Sequence, residues 1–182
     1  MGNVAGRLTA NKGVMTMENP RQYTIYVDGA CTNNGKASAL AGWGAILRNS
    51  KGEERELAGP VPKHDPQTNI RAELLAFVLA VEWFKQPSTM DVYTDNEMVA
   101  KGYSEWMDGW IAKGWRGSKG PVAHSDLWRR VQAMREVHTI RVHWVRGHSG
   151  VVDTERADRL AGLGAQGQMI SRKVAAPVAD AT

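Results

Sequence analysis

Three strand-like segments follow one another near the start of this chain, and helix-like and strand-like segments alternate after them. Residues 23–31, 41–49 and 53–58 are rich in β-branched and aromatic side chains, and residues 49–52 predict the turn that joins the last two. Further strands are predicted at 90–94 and 139–145, and helices at 68–86, 96–106 and 154–163 and from Ser125 onward. Thr68, Ser125 and Thr154 are the predicted N-caps. This order predicts an α/β fold in which a mixed five-stranded sheet has helices on both faces.

Length and composition favour one folded domain with a tail at each end. Of the 182 residues, 42% are hydrophobic, which is enough to build a core. Residues 1–20 and 167–182 show no hydrophobic period, so we expect flexible tails around a domain at 21–166. The lone Cys31 excludes an internal disulfide and fits a reducing compartment. With no secretory signal and no apolar stretch long enough to span a membrane, we expect a cytoplasmic monomer without a membrane partner.

Four acidic residues lie in four separate segments, at positions where their carboxylates can meet. Asp28 and Asp95 each end a predicted strand, at the sheet edge where open α/β sheets place their ligands. Glu73 lies on the apolar face of one predicted helix, and Asp158 precedes apolar residues on another. Burying a carboxylate is costly unless it is paired or bound to a metal ion. Each acid alone has an ordinary alternative, such as capping a turn. Together they favour a site for two Mg²⁺ ions and phosphodiester hydrolysis.

A loop histidine and a basic segment extend this prediction. His148 lies between two glycines, so it could exchange protons beside the acids, although a simple surface histidine is the alternative. Residues 112–146 carry eight basic side chains and two acidic ones, which suits a polyanionic partner, with an ordinary solvated surface as an equal alternative on charge alone. Aromatic side chains interleave with cations in this region, as in surfaces that stack on nucleic acids. They are Trp106, Trp110 and Trp115, with Lys113, Arg116 and Lys119.

Five motifs, in this order along the chain, resemble type 1 ribonuclease H. They are Asp-Gly-Ala-Cys at 28–31, Thr-Asn-Ile-Arg-Ala-Glu at 68–73, Tyr-Thr-Asp-Asn at 93–96, Gly-His-Ser-Gly at 147–150 and Glu-Arg-Ala-Asp-Arg-Leu-Ala at 155–161. The resemblance implies a ribonuclease H-like fold and makes 21–166 a catalytic domain. It also implies an endoribonuclease that hydrolyses the RNA strand of RNA·DNA hybrids and leaves 5′-phosphate and 3′-hydroxyl ends.

The resemblance assigns roles to individual residues. Asp28, Glu73, Asp95 and Asp158 would hold two Mg²⁺ ions, with Mn²⁺ as an alternative, and His148 would assist proton transfer or product departure. Other positions match residues that contact the hybrid. Asn34 and Asn69 would contact the minor groove, and Thr68 would bind a DNA phosphate. A group of aromatic and basic residues, called the grip below, would hold the DNA strand. Its members are Trp106, Trp110, Trp115, Lys113, Arg116 and Lys119.

The chain also departs from the family pattern, and two other functions stay open. Ile70 and His124 stand where relatives carry amide side chains, and Glu97 adds charge close to the metal site, so these departures bear on substrate affinity and leave the four acids intact. The first alternative is a DNA nuclease or strand-transfer enzyme of the same superfamily. The presence of Asn34, Asn69 and the fourth acid argues against it. The second alternative is an inactive hybrid-binding module, and the four intact acids argue against that.

Overall fold

The computed structural model describes residues 9–11, 14–16, 21–147 and 152–175 of the chain. The strands are β1 Thr9–Asn11, β2 Val14–Thr16, β3 Gln22–Thr32, β4 Leu40–Asn49, β5 Glu54–Pro60, β6 Thr89–Thr94, β7 Arg116–Gly117, β8 Gly120–Pro121, β9 Thr139–Trp144 and β10 Ile170–Val174. The α-helices are α1 Asn69–Glu82, α2 Glu97–Lys101, α3 Met107–Ala112, α4 Ser125–Val137 and α5 Val152–Ala165, and a π-helical turn, Gly102–Trp106, joins α2 to α3. None of the helices in the described ranges is long and apolar enough to cross a membrane.

One mixed sheet organises the molecule, with the strand order β10-β5-β4-β3-β6-β9. The pairs β3–β4, β4–β5 and β5–β10 are antiparallel, and β3–β6 and β6–β9 are parallel. The ends of β3 and β6 therefore lie side by side at one edge, which is where the acids at these ends can meet.

The two faces of the sheet bury different side chains because strand residues alternate between faces. Ile25 and Val27 of β3 belong to a core that includes most of α1, such as Phe77. Ile46 of β4 belongs to a second core with Leu160 of α5. Helices α1 and α5 thus cover opposite faces, as the sequence predicts, and the mixed α/β architecture is confirmed.

Helix α5 lies directly against the backbone of β4. A Cβ atom placed on Gly44 would lie 2.6 Å from the backbone nitrogen of Ala161, and one placed on Gly164 would lie 3.0 Å from the carbonyl oxygen of Trp43. Neither helix nor strand has a side chain at these points. The separation of α5 from the sheet is therefore set by main-chain atoms.

The sheet has six strands where the sequence pattern predicts five. The added strand, β10, lies inside the segment 167–182 that was expected to be a tail, and it pairs with β5 from Ile170 opposite Ala58 to Val174 opposite Glu54. Most of β10 is exposed, so it lacks the alternating burial that identifies a strand in sequence. Its charged side chains suit an edge strand, and Arg172 forms an ion pair with Glu56 of β5. In the other expected tail, β1 and β2 form a small antiparallel ladder.

The structure confirms one of the three predicted N-caps. The Thr68 side chain accepts a hydrogen bond from the backbone N–H of Arg71 at 3.2 Å, which confirms it as the N-cap of α1. Ser125 is instead the first residue of α4, preceded by His124 in a left-handed conformation. Thr154 lies inside α5, which begins two residues earlier at Val152. Several polar residues occur together at both of these starts, and each is a plausible cap by local rules.

Candidate active site

Three of the four predicted acids come together at the edge of the sheet. Asp28 is on β3, Glu73 is on the second turn of α1, and Asp95 directly follows β6. Each offers a carboxylate oxygen, and these oxygens all lie within 4.8 Å of one another. Asp28 and Glu73 are 4% and 6% exposed, so this is a buried group of like charges. The backbone N–H of Gly29 donates to Asp28 Oδ1 at 2.8 Å.

Within the described residues, the three acids have no basic side chain to balance their charge. No lysine or arginine in the described parts of the chain forms an ion pair with Asp28, Glu73 or Asp95. Glu73 Oε2 is buried and has no hydrogen-bond partner there. A buried carboxylate oxygen without a partner is costly, and a hard cation with oxygen ligands would remove that cost. The donor set therefore fits a divalent cation such as Mg²⁺.

Burial and mutual repulsion shift the ionisation of this group. Burial raises the pKa of Asp28 to about 6, and the charges of Asp95 and Asp158 act in the same direction, while a hydrogen bond with Glu73 opposes them. Burial, followed by the charge of Asp28, raises the pKa of Glu73 well above its ordinary value. Without a metal ion, the pair therefore retains protons at a pH where free carboxyl groups have lost them.

The fourth acid stands apart from the other three. Asp158 lies on α5 and is exposed, and it is not part of the group whose oxygens lie within 4.8 Å. It is nevertheless close enough to contribute to the raised pKa of Asp28. His148 lies outside the described residues, so its role remains a prediction.

Two features near Asp95 were not predicted from the sequence. The indole N–H of Trp144, at the end of β9, donates to the backbone carbonyl of Asp95 at 3.2 Å. Trp144 ends the strand β9, and it is 50% exposed. Gly147 packs so close that a Cβ there would lie 2.9 Å from Asp95 Oδ2. The alternating pattern of β9 does not indicate that its last side chain is exposed and contacts the residue that follows β6.

A buried arginine supports the start of α1, where Glu73 is located. Arg71 is 5% exposed and donates two hydrogen bonds to Asp126, at 2.8 and 2.6 Å. Its Nη1 also lies 3.4 Å from Nδ1 of His124. Burial and the positive charge of Arg71 lower the pKa of His124. The motif containing Arg71 was noted in the sequence, but its partner could not be identified because Asp126 is distant along the chain.

The predicted minor-groove residues lie on the surface near the same edge. Asn34, in the turn after β3, and Asn69, the first residue of α1, are both exposed. The thiol of Cys31 donates to the carbonyl of Gln67 at 3.3 Å, and this contact joins the end of β3 to the segment before α1. Thr68 is half-buried because its side chain caps the helix.

The predicted aromatic and basic grip is only partly exposed. Trp106 is 37% exposed and packs on Trp110, with ring centroids 5.9 Å apart. Trp115 is 8% exposed, and the Arg129 guanidinium lies 5.5 Å from its ring centroid, so its placement argues against direct stacking on a substrate. The remaining members of the grip are exposed. They are Lys113, Arg116 and Lys119.

A buried group of carboxylates at the end of a mixed sheet is the arrangement of a metal-dependent hydrolase. The RNase H family profile matches residues 20–166. The chain therefore belongs to the ribonuclease H family, which confirms the resemblance to type 1 ribonuclease H. It also confirms the expectation of an enzyme of the nuclease class.

Curated relatives agree with this assignment, and solved structures share the fold. Ribonuclease H of Cupriavidus metallidurans is 44% identical over 145 residues, which cover 79% of this chain and 95% of the relative. Ribonuclease H of Aromatoleum aromaticum is 46% identical over 144 residues, covering 79% and 90%. Among solved structures, LC9-RNase H1 has a TM-score of 0.74 at 23% identity, covering 86% of this chain and 78% of that one. The PFV RNase H domain has a TM-score of 0.66 at 25% identity, covering 80% and 96%.

Proposed function

We propose that this chain is an endoribonuclease that hydrolyses the RNA strand of RNA·DNA hybrids with two Mg²⁺ ions. The observation that carries the proposal is the group formed by the buried Asp28 and Glu73 with the half-buried Asp95, whose oxygens lie within 4.8 Å of one another without an arginine or lysine partner among the described residues. Ribonuclease H enzymes cleave the RNA of such hybrids, and this chain has the acids that the chemistry needs.

Asp28, Glu73 and Asp95 would hold the metal ions, and Asp158 would join them from α5. Bound divalent cations supply positive charge that stabilises the attacking and leaving oxygens of an in-line displacement at phosphorus. The acids keep that charge in place because Asp28 and Glu73 are held on a strand and a helix that pack tightly against each other.

The reaction consumes one water molecule for each cut. A water oxygen forms a bond to phosphorus, and the bond from phosphorus to the 3′ oxygen breaks. The leaving oxygen takes up a proton to become a 3′-hydroxyl, and the other fragment carries a 5′-phosphate. His148, which matches the loop histidine of the family motif, is proposed to assist this proton transfer or product departure.

Recognition of the hybrid is proposed to use two surfaces. The exposed amides of Asn34 and Asn69 can hydrogen-bond in the minor groove, where 2′-hydroxyl groups distinguish RNA from DNA. The half-buried Thr68 is proposed to contact a DNA phosphate beside them. Lys113, Arg116 and Lys119 are exposed in the segment that follows α3 and can neutralise phosphates of the DNA strand.

A cleavage assay tests the proposal directly. The substrate is an RNA·DNA duplex labelled on the RNA strand, in Mg²⁺, beside RNA·RNA and DNA·DNA duplexes. We expect internal cuts in the RNA of the hybrid alone, and fragments with 5′-phosphates that a phosphatase removes. Asp28→Asn should abolish cutting, whereas the matched control Asp91→Asn, a surface aspartate paired with Arg141, should retain it.

The other outcomes separate the alternatives. Hybrid binding without cleavage by the wild-type chain would identify an inactive binding module. Cutting of the DNA·DNA duplex would identify a DNA nuclease or strand-transfer enzyme. Equal activity of Asp28→Asn and wild type would refute the assigned metal site.

A further inference from the structure

A second concave site lies at the end of the sheet opposite the acids. It is a cavity of about 890 Å³, bounded by the starts of β3 and β5, the segment after α1, and the end of β10. Tyr23 in its wall and Asp28 in the active site are five residues apart on β3, or roughly 17 Å along an extended strand. A small molecule in this cavity would therefore not touch the acids.

Aromatic side chains form one part of the cavity wall. Trp83, just after α1, is 42% exposed, which is unusual for so large an apolar side chain. The Arg55 guanidinium lies 4.9 Å from its ring centroid. Tyr23 and Phe84 pack together beside it, with ring centroids 4.0 Å apart. The wall thus offers an accessible indole, supported by a cation and by a packed aromatic pair.

Basic side chains without acidic partners among the described residues form the other part of the cavity wall. Arg21 and Lys173 line the cavity and are exposed, and neither makes an ion pair with any residue that the structure describes. Among the described residues, Lys85 donates only to the backbone carbonyl of Glu82, at 3.0 Å. Arg55 has no carboxylate partner in the same ranges, and its Nη1 donates to the hydroxyl of Ser171.

The two acids in the wall do not cancel this charge. Glu54 is already paired with two arginines, Arg48 at 2.8 Å and Arg156 at 2.7 Å. Glu53 is exposed and accepts a hydrogen bond from the Asn49 side chain. Four cations against one uncompensated acid leave the cavity positive, which favours an anionic ligand.

We propose that this cavity binds a nucleoside phosphate, with the base against Trp83 and the phosphate near Arg21 and Lys173. The indole face suits a planar ring, and the unpaired cations suit a phosphate. The volume lies within the roughly 300–1,000 Å³ typical of small-molecule sites. The site is separate from the acidic group, so it stands whether or not the chain cleaves hybrids.

Calorimetric titration of the full chain with adenosine 5′-monophosphate tests this assignment. The background is Asp28→Asn in EDTA, which removes metal-dependent binding at the acids. We expect saturable binding of the nucleotide, and weaker binding of adenosine and of inorganic phosphate, because each lacks half of the ligand. Trp83→Ala should weaken nucleotide binding by at least about fivefold, the effect of losing one base–aromatic stack.

Control variants test whether the nucleotide binds at this cavity. The double variant Arg21→Gln/Lys173→Gln changes only exposed side chains and should also weaken binding of the nucleotide, but not of adenosine. Trp106→Ala, an exposed tryptophan outside the cavity, should leave binding unchanged. Hybrid cleavage by Trp83→Ala in the native background should match wild type. The assignment is overturned by absence of nucleotide binding at millimolar concentration, by equal binding of inorganic phosphate, or by loss of binding in Trp106→Ala.

Discussion

Replacing Asp28 by Asn should stabilise the metal-free protein, although it removes an active-site group. Burial raises the pKa of Asp28 from its ordinary value of 3.8 to about 6. Since a tenfold change in proton affinity corresponds to about 1.4 kcal/mol, ionised Asp28 costs the folded state about 3 kcal/mol at pH 8. Asn carries no charge, and its side-chain oxygen can still accept the hydrogen bond from Gly29. We therefore expect a gain of about 2–3 kcal/mol in the free energy of unfolding.

The pH dependence of this gain has a definite sign. The unfolded chain releases the Asp28 proton near pH 3.8, whereas the folded chain holds it to about pH 6. The folded state therefore binds more protons between these values, and wild-type stability falls as pH rises through that range. The advantage of Asp28→Asn should be largest at pH 8 and below about 1 kcal/mol at pH 4.

Urea unfolding in EDTA measures the gain in the free energy of unfolding for Asp28→Asn at pH 8 and at pH 4. Asp153→Asn is the matched control. Burial opposes ionisation of Asp153, but hydrogen bonds and charge from Arg48 and Arg156 outweigh it and lower its pKa. That variant should lose stability at pH 8, and the loss should diminish as pH falls below 4. A loss of stability in Asp28→Asn at pH 8, or a gain that is equal at both pH values, would refute the reasoning.

Three further predictions concern packing, the ion pair of a buried arginine, and substrate charge. Gly44→Ala should lower the free energy of unfolding by about 3 kcal/mol or more, because its Cβ would meet the backbone of α5. Gly162→Ala is the control: its Cβ would meet nothing within 4 Å, so thermal melts should show it to be neutral or stabilising. Arg71→Met should cost about 1–2 kcal/mol in chemical denaturation, because the arginine is buried but Asp126, whose side chain is 63% exposed, is hydrated when it loses its partner; an unchanged free energy of unfolding would contradict this. Lys113→Gln should weaken hybrid binding and reduce the slope of log affinity against log salt by about 1, and an unchanged slope would exclude a phosphate contact.

The parts of the fold that local patterns determine were predictable from the sequence. The alternating strands and the apolar helix faces are properties of short segments, so the sheet, α1 and α5 follow from them. The meeting of Asp28, Glu73 and Asp95 was predictable because strand ends and the start of the following helix share one edge.

Other features depend on contacts between distant segments and were missed. β10 is an exposed edge strand, defined by its pairing with β5 and not by its own pattern. Trp115 was assigned to a substrate surface because cations surround it in sequence. The chain turns back at that point with a positive φ of 65°, which folds the indole inward beneath Arg129. No local rule indicates which face of such a turn an aromatic ring will take.

The contact of α5 with bare strand backbone determines how Asp158 can respond to a ligand. Side chains at an interface can change rotamer and let a helix move, but at Gly44 and Gly164 the main chains of β4 and α5 meet without side chains between them. These contacts restrain α5, so we expect Asp158 to approach the other acids by rotation about its own two side-chain torsions. Recruitment of the fourth acid should then appear as a loss of motional freedom at one side chain, with the backbone of α5 unmoved.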